Sequence, residues 1–453
     1  MKKILFVALL MLAFACKEEE KPDYVILDGK VTNNETDKIM VQGHDFKTEI
    51  AILADGTFRD TLSIDKNGFY EFFLDRDRTE MYLEKGKNIT INLDAKQFDE
   101  TLVYSGDVAA ENNYLAVKFL MDEKRLGFEE MYVLPENEFM AEINKIERQQ
   151  DSLLKYRKVI NEEFLAIEMD ENKYSNAASI EIYEDYYRHF TKNDSFTVSS
   201  NFYDKLKDIN YKDTVAFRNS NAYQQMLNAR LNRINLGDKA EGKNTTLAYL
   251  KNIDKNLPNG YAKDKMMTNY LEYDLKPDES FEESYKLYKS INPNKENLEK
   301  ITKRYETLKL LTKGNPSPNF NFENYKGGTT SLEDLKGKYT YIDVWATWCG
   351  PCIREIPSLQ KVEEDYKGKN VQFVSISIDE KKDYEKWKNM ISEKNLGGIQ
   401  LMADNNWNSA FVKEYGILGI PRFILIDPNG KIVSADAPRP SDPELRIMLD
   451  KTI

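Results

Sequence analysis

The stretch Thr347-Trp348-Cys349-Gly350-Pro351-Cys352 constrains this chain more than any other. It follows an apolar run, Tyr339 to Trp345, that reads as a strand buried on both faces, and it precedes Ile353 to Leu359, which reads as a helix. Two thiols separated by two residues at a strand-to-helix junction point to redox chemistry. The first sits at a helix N-terminus, where unpaired amides and the positive end of the dipole favour a thiolate, the species that attacks a disulfide. The short spacer keeps the second thiol within reach, so the pair cycles between dithiol and disulfide. Cys349 is thus expected as the exposed nucleophile and Cys352, one turn in and buried, as the resolving thiol. Gly350-Pro351 form the spacer, and Pro351 is tolerated because the first helical position needs no donor.

At 453 residues the chain has room for two to four domains. A net charge of −12, with no basic run or aromatic-plus-basic stripe, argues against a nucleic-acid partner. The N-terminus reads as a targeting segment: Lys2-Lys3, an apolar Ile4 to Leu12, and a small-residue cleavage site at Ala13-Phe14-Ala15. Leu12-Ala13-Phe14-Ala15-Cys16 resembles a bacterial lipobox, which implies that Cys16 is acylated after cleavage; the alternative is an ordinary signal peptide with an incidental cysteine. Lys17-Glu18-Glu19-Glu20-Lys21 resembles the signal that sends some Gram-negative lipoproteins to the cell surface, and reads equally well as a solvated tether. No later segment approaches the ~18 apolar residues of a membrane span, so attachment is expected through lipid alone. With Cys16 lipidated, Cys349 and Cys352 are the only thiols left, and sulfur serves chemistry rather than stapling. Two histidines, His44 and His189, leave a Cys/His zinc site without ligands, so no metal is expected and no cofactor beyond a redox-active Cys349–Cys352 disulfide.

The expected organisation is multidomain: signal peptide 1–15, tether 16–23, β-sandwich 24–108, helical domain 109–313 and an α/β domain 314–453. Short alternating strands with turns at Asp55-Gly56, Lys66-Asn67-Gly68 and Lys85-Gly86-Lys87 argue a small antiparallel sandwich. The period then turns helical, with Phe139, Ile143, Ile146, Leu153 and Ile160 on one stripe and Ala177, Ile180, Tyr183, Tyr187 and Phe190 on another, an all-α segment. Lys313-Gly314-Asn315-Pro316-Ser317-Pro318 reads as the linker to the last domain. There, strands at Val371 to Ile378, Leu401 to Asp404 and Ile417 to Asp427 alternate with helices at Lys381 to Lys394 and Trp407 to Tyr415.

Asp343-Val344-Trp345-Ala346-Thr347-Trp348-Cys349-Gly350-Pro351-Cys352 is similar to the thioredoxin active-site signature, and Gly419-Ile420-Pro421 to the cis-proline loop of that fold. The leading strands and the added helix and strand between Asp379 and Asp404 resemble the TlpA/ResA branch of thioredoxin-like envelope proteins, over about Gly314 to Ile453. The sandwich resembles a domain of unassigned chemistry found upstream of such domains in envelope lipoproteins. The resemblance implies a thioredoxin-like fold, a cis bond before Pro421, and a substrate surface of Trp348, Gly350, Pro351, Ile420 and Pro421, with Trp345 also walling the site. It implies two catalytic carboxylates: Asp343, a buried acid that relays the proton of Cys352, and Glu355, matching a glutamate kept near the cysteine pair in the ResA-like branch. The alternative for each is packing alone: Asp343 as a hydrogen-bonded core acid, Glu355 as a solvated helix residue. Ser375 stands where thioredoxins place a lysine partner for the buried acid, so Asp343 is expected to be tuned differently.

The reading is a lipid-anchored, periplasmic thiol-disulfide oxidoreductase of the bacterial envelope, on the outer membrane or cell surface, reducing disulfides of envelope proteins and fed by an unidentified membrane electron donor. A Gly-Pro spacer with Ile before the cis-proline resembles reducing thioredoxins, at about −270 mV, more than the oxidant DsbA, at about −120 mV. The rivals are an oxidase or isomerase using the same cysteines, a peptide- or polymer-binding lipoprotein with an accessory redox domain, and a peroxidase. The position of the second cysteine argues against the last.

Overall fold

Alternating burial in eight short strands builds the amino-terminal sandwich. The computed structural model describes residues 22–43, 46–156, 161–240 and 246–453; the leader, Cys16, the run Lys17 to Lys21, His44 and Ile160 lie outside the described residues. The strands are β1 (Val25–Thr32), β2 (Lys38–Gln42), β3 (Lys47–Ala51), β4 (Thr57–Leu62), β5 (Gly68–Leu74), β6 (Asp77–Leu83), β7 (Asn88–Asp94) and β8 (Val103–Gly106). They form two sheets, in the orders β4-β1-β7-β8 and β3-β2-β5-β6. Residues two apart, such as Val25 and Leu27, Ile39 and Val41, or Ile89 and Ile91, fill the space between them. One pairing departs from the antiparallel expectation: β1 and β7 run parallel. β6 lies in the opposite sheet, so β7 arrives by a crossover rather than a hairpin and enters beside β1 in the same direction. At Gly29 a Cβ would stand 2.0 Å from the Ile91 carbonyl oxygen, so this crossing of β1 and β7 requires glycine.

The chain divides into two compact units, one comprising the chain up to Ile209 together with Asn219–Arg230, the other Asn210–Arg218 and Leu231–Ile453. In the first, Tyr114 and Phe164 from helices Ala109–Asp122 and Glu162–Thr191 join the sandwich core, with Phe164 5.2 Å from the ring of Tyr82. The helix Glu136–Tyr156 buries Phe139, Ile143 and Ile146, but its next apolar rung is Leu154 rather than Leu153. A 3.6-residue period carries the buried face from Ile146 through Gln150 to Leu154, and Gln150 is accommodated by a 2.9 Å hydrogen bond from Asn176.

In the second unit, helices Thr246–Asn256, Tyr261–Asp274, Phe281–Ser290 and Lys295–Lys309 precede a seven-stranded mixed sheet. Its strands are β9 (Asn321–Asn324), β10 (Thr329–Ser331), β11 (Tyr339–Trp345), β12 (Val371–Ser377), β13 (Ile399–Met402), β14 (Arg422–Ile426) and β15 (Ile432–Ser434), in the order β10-β9-β13-β12-β11-β14-β15. β11 is parallel to β12 and antiparallel to β14. The helices Gly350–Asp365, Tyr384–Glu393 and Pro443–Thr452 accompany this sheet, giving a thioredoxin-like α/β domain.

Two sequence expectations need correction here. The segment at 313–318 is not a free linker: Gly314 and Ser317 donate to the carbonyls of Ile432 and Gly430 at 2.8 and 3.0 Å, and Ile432 donates back to Asn315 at 2.9 Å. The donors fall on the non-proline positions, so Pro316 and Pro318 cost no hydrogen bond. The long strand expected from Ile417 begins only at Arg422. Pro421 offers no N–H to a strand ladder, and the chain from Ile417 to Pro421 is a loop.

Candidate active site

β11 is an interior strand, flanked by β12 and β14 and buried from Thr340 onward. Where it ends, the backbone turns through Ala346 and Thr347 without leaving the interior. The turn is held by Asp379, a buried carboxylate that accepts from the Thr347 N–H at 3.1 and 2.9 Å, from the Thr347 hydroxyl at 2.8 Å and from Ser377 Oγ at 2.6 Å. Sequence reasoning missed Asp379. Its only signal is position, just past the end of the neighbouring strand β12. Asp379→Ala removes all four bonds and leaves the Thr347 amide buried and unpaired; we expect a loss of about 3 kcal/mol in denaturant unfolding, against under about 1 kcal/mol for an exposed carboxylate such as Glu364.

The helix Gly350–Asp365 begins at once, with Cys349 as its N-cap and Pro351 in its first turn. Cys349 Sγ accepts from the Cys352 N–H at 3.1 Å, so the first sulfur occupies the position that a capping oxygen takes in other helices. Cys349 and Cys352 are joined as a disulfide. The expected exposed Cys349 is corrected: both cysteines are 4% exposed. The reason is local. The bend held by Asp379 keeps Cys349 at the level of the buried strand end, while Trp348, Gly350 and Pro351 around it are exposed. Trp348, 50% exposed, lies 6.4 Å from the ring of Trp407. Trp345, expected to wall the site, instead points inward and is fully buried.

Ile420–Pro421 stands at the same end of the sheet. Val344 is paired with Arg422, so the cis bond follows on beside the end of β11, with Ile420 and Pro421 half-buried and Gly419 exposed.

Asp343 is one pair below, opposite Ser375 in the β11–β12 register. It lines a small cavity with Ile356 and Leu359, which continue the buried helix face that begins at Cys352. Burial, reinforced by the charges of Glu355 and Glu363, pushes its carboxyl up to about 8. No cation offsets this, since a serine stands at the paired position. Glu355 is directed elsewhere: its carboxylate accepts from the Ser441 N–H at 3.0 Å and the Ser441 hydroxyl at 2.8 Å. It acts on Asp343 through charge. Among the described residues, no cluster of His, Cys, Asp and Glu is arranged to hold a metal ion.

Residues 312–448 match the Redoxin family model. The match spans under a third of the chain. The chain is similar to the thiol-disulfide oxidoreductase ResA of Bacillus anthracis, at 32% identity over 120 residues covering 26% of this chain and 66% of ResA. It is likewise similar to ResA of Bacillus subtilis strain 168, at 29% over 126 residues, 27% of this chain and 66% of that one. The chain thus spans just under two thirds of the length of these relatives. A solution structure from Bacteroides vulgatus, provisionally named a thiol-disulfide oxidoreductase, is 50% identical, covers 30% of this chain and 89% of its own, and has a TM-score of 0.28. The family match lies on the domain that carries Cys349, Cys352 and the cis-proline.

Proposed function

We propose that this protein is a thiol-disulfide oxidoreductase of the TlpA/ResA type that reduces disulfides in proteins of the bacterial envelope. The observation that carries the reading is the seat of Cys349: its sulfur caps a helix, receives the Cys352 amide and is bonded to Cys352. On reduction the same amide and the helix dipole stabilise a thiolate at Cys349. That thiolate attacks one sulfur of a substrate disulfide; a mixed disulfide forms and the other substrate sulfur leaves as a thiolate. Cys352 gives its proton to Asp343 in its ionised form, the minor species at pH 7, and attacks Cys349 Sγ, which releases the second substrate sulfur and restores the Cys349–Cys352 disulfide. Two electrons pass to the substrate, and a dithiol donor returns them. The exposed Trp348, Gly350 and Pro351, with Ile420 and Pro421 at the sheet end, form the face on which an extended substrate strand docks.

The likeness to ResA, the leader pattern and Cys16 support an extracytoplasmic site with a lipid anchor. No helix among the described residues is long and apolar enough to cross a membrane. The donor is proposed to be a membrane protein.

The test is selective alkylation. In the reduced protein at pH 7, iodoacetamide is expected to modify Cys349 at least tenfold faster than Cys352, because only Cys349 has a capped, acidified sulfur. Equal rates, or a Cys349 that titrates like a free thiol near 8.5, overturn the assignment.

A further inference from the structure

Glu363 lies on the Gly350–Asp365 helix, two turns beyond Glu355, and no step described so far uses it. It borders two spaces. On one side is the small cavity lined by Asp343, Ser375 and Gln400. On the other is an open surface groove lined by Lys338, Lys367 and Lys369. Glu363 is the one residue that lines both.

Its seat is cut to fit. A Cβ on Gly397 would stand 2.2 Å from Glu363 Oε2, so this glycine leaves room for the carboxylate; the next residue, Gly398, is required by its own φ of +60° and the Phe373 carbonyl 2.7 Å away. The cavity also contains an unanswered acceptor. Gln400 is 6% exposed, its amide nitrogen donates to the Gly397 carbonyl at 2.7 Å, and its Oε1 is buried with no partner. A buried acceptor of this kind calls for a donor inside the cavity, such as a protonated carboxyl or a water between the two acids.

We propose that Glu363 is the outer station of a proton path that loads and unloads Asp343 across this cavity, connecting the resolving step to solvent. The inference rests on the dithiol-disulfide cycle proposed above. In that cycle Asp343 takes the proton of Cys352 as the disulfide closes; the protonated carboxyl passes it through the cavity to the Glu363 carboxylate, which releases it to the groove. When the disulfide is reduced, the leaving Cys352 thiolate takes a proton from Asp343, and Glu363 replaces it from solvent. One proton moves in each direction per turnover, and no bond to carbon changes.

The surroundings suit the role. Burial raises Glu363 to about 7, beside Asp343 at about 8, so both acids exchange protons near neutrality. The groups facing Asp343 are Glu355 and Glu363 from the helix and Tyr341 from its own strand, with Ser375 across from it. On the groove side Tyr366 lies near Glu363, while Lys367 and Lys369 pair with Glu364 at 3.4 Å and Asp450 at 3.7 Å. Glu363 is a positioning residue in this scheme, since it acts through Asp343.

The full-length protein is tested as Glu363→Gln, which keeps the shape, and as Gly397→Ala, which displaces the carboxylate without removing any titratable group. Both are expected to slow single-turnover disulfide reduction at pH 7 by roughly tenfold, less than the hundredfold or more of a direct general base. Imidazole added as a diffusible base restores the rate in both variants and leaves the parent unchanged. Rates equal to the parent, or a loss that imidazole does not restore, overturn the relay. A parent protein inactive with and without Cys349→Ser contradicts the underlying cycle instead, so the two failures are distinguishable.

Discussion

Cys349→Ser is expected to bring disulfide reduction down to the uncatalysed background, and Cys352→Ala to leave a stable mixed disulfide between Cys349 and substrate. The two results differ because the sulfurs have different work. Cys349 occupies the helix cap and receives the amide of Cys352, so without it no nucleophile stands at the dipole. Cys352 lies one turn in, and without it the first exchange proceeds but nothing expels the product. Insulin reduction followed by turbidity measures the first. Non-reducing electrophoresis after acid quench measures the second, and trapping in cells identifies clients. If Cys349→Ser keeps activity, or if Cys352→Ala accumulates no adduct, the redox reading fails and the helical and sandwich segments become the functional part.

Asp343→Asn is expected to make the oxidised protein more stable at alkaline pH and its catalytic cycle slower. The folded carboxyl titrates at about 8, far above an unfolded aspartate near 3.9. The folded protein therefore keeps a proton that the unfolded chain releases. Stability is fully present below about pH 4 and is progressively lost as pH rises to about 8, after which the loss levels off. Asparagine removes this drain, so the gain over the parent grows across that window, to an order of a few kcal/mol at pH 9. Activity moves the other way. Without the carboxylate, the Cys352 proton has no internal acceptor, and reduction at pH 7 falls by roughly a hundredfold, recovering as pH approaches the thiol's own pKa. Urea unfolding at pH 5 and 9, with a pH–rate profile, tests both halves. A variant with unchanged pH dependence removes Asp343 from the mechanism.

The two effects share a cause. A carboxyl buried opposite serine rather than lysine, with two further acids nearby, is costly to ionise. The same cost holds its proton in the range where thiols exchange theirs.

Much of this was legible before any coordinates. The apolar run into Cys-Gly-Pro-Cys dictated a buried strand and a capped helix, since local periodicity and the demands of a helix N-terminus act over a few residues. The first seven sandwich strands followed from alternation and turn residues in the same way, whereas β8 did not. The parallel β1–β7 pair, the binding of Gly314 and Ser317 to the β15 hairpin, and the accommodation of Gln150 did not, because each depends on a partner distant in sequence.

The site divides along the same line. Composition and spacing by themselves determined that two sulfurs would meet at the start of a helix, because three residues of helix bring them together whatever surrounds them. Tertiary structure decided how far Cys349 is withdrawn, through Asp379; that Glu355 turns to Ser441; and that Glu363 stands between Asp343 and the surface. Those outcomes are set by burial and charge summed over several elements, and no short stretch of sequence contains that sum.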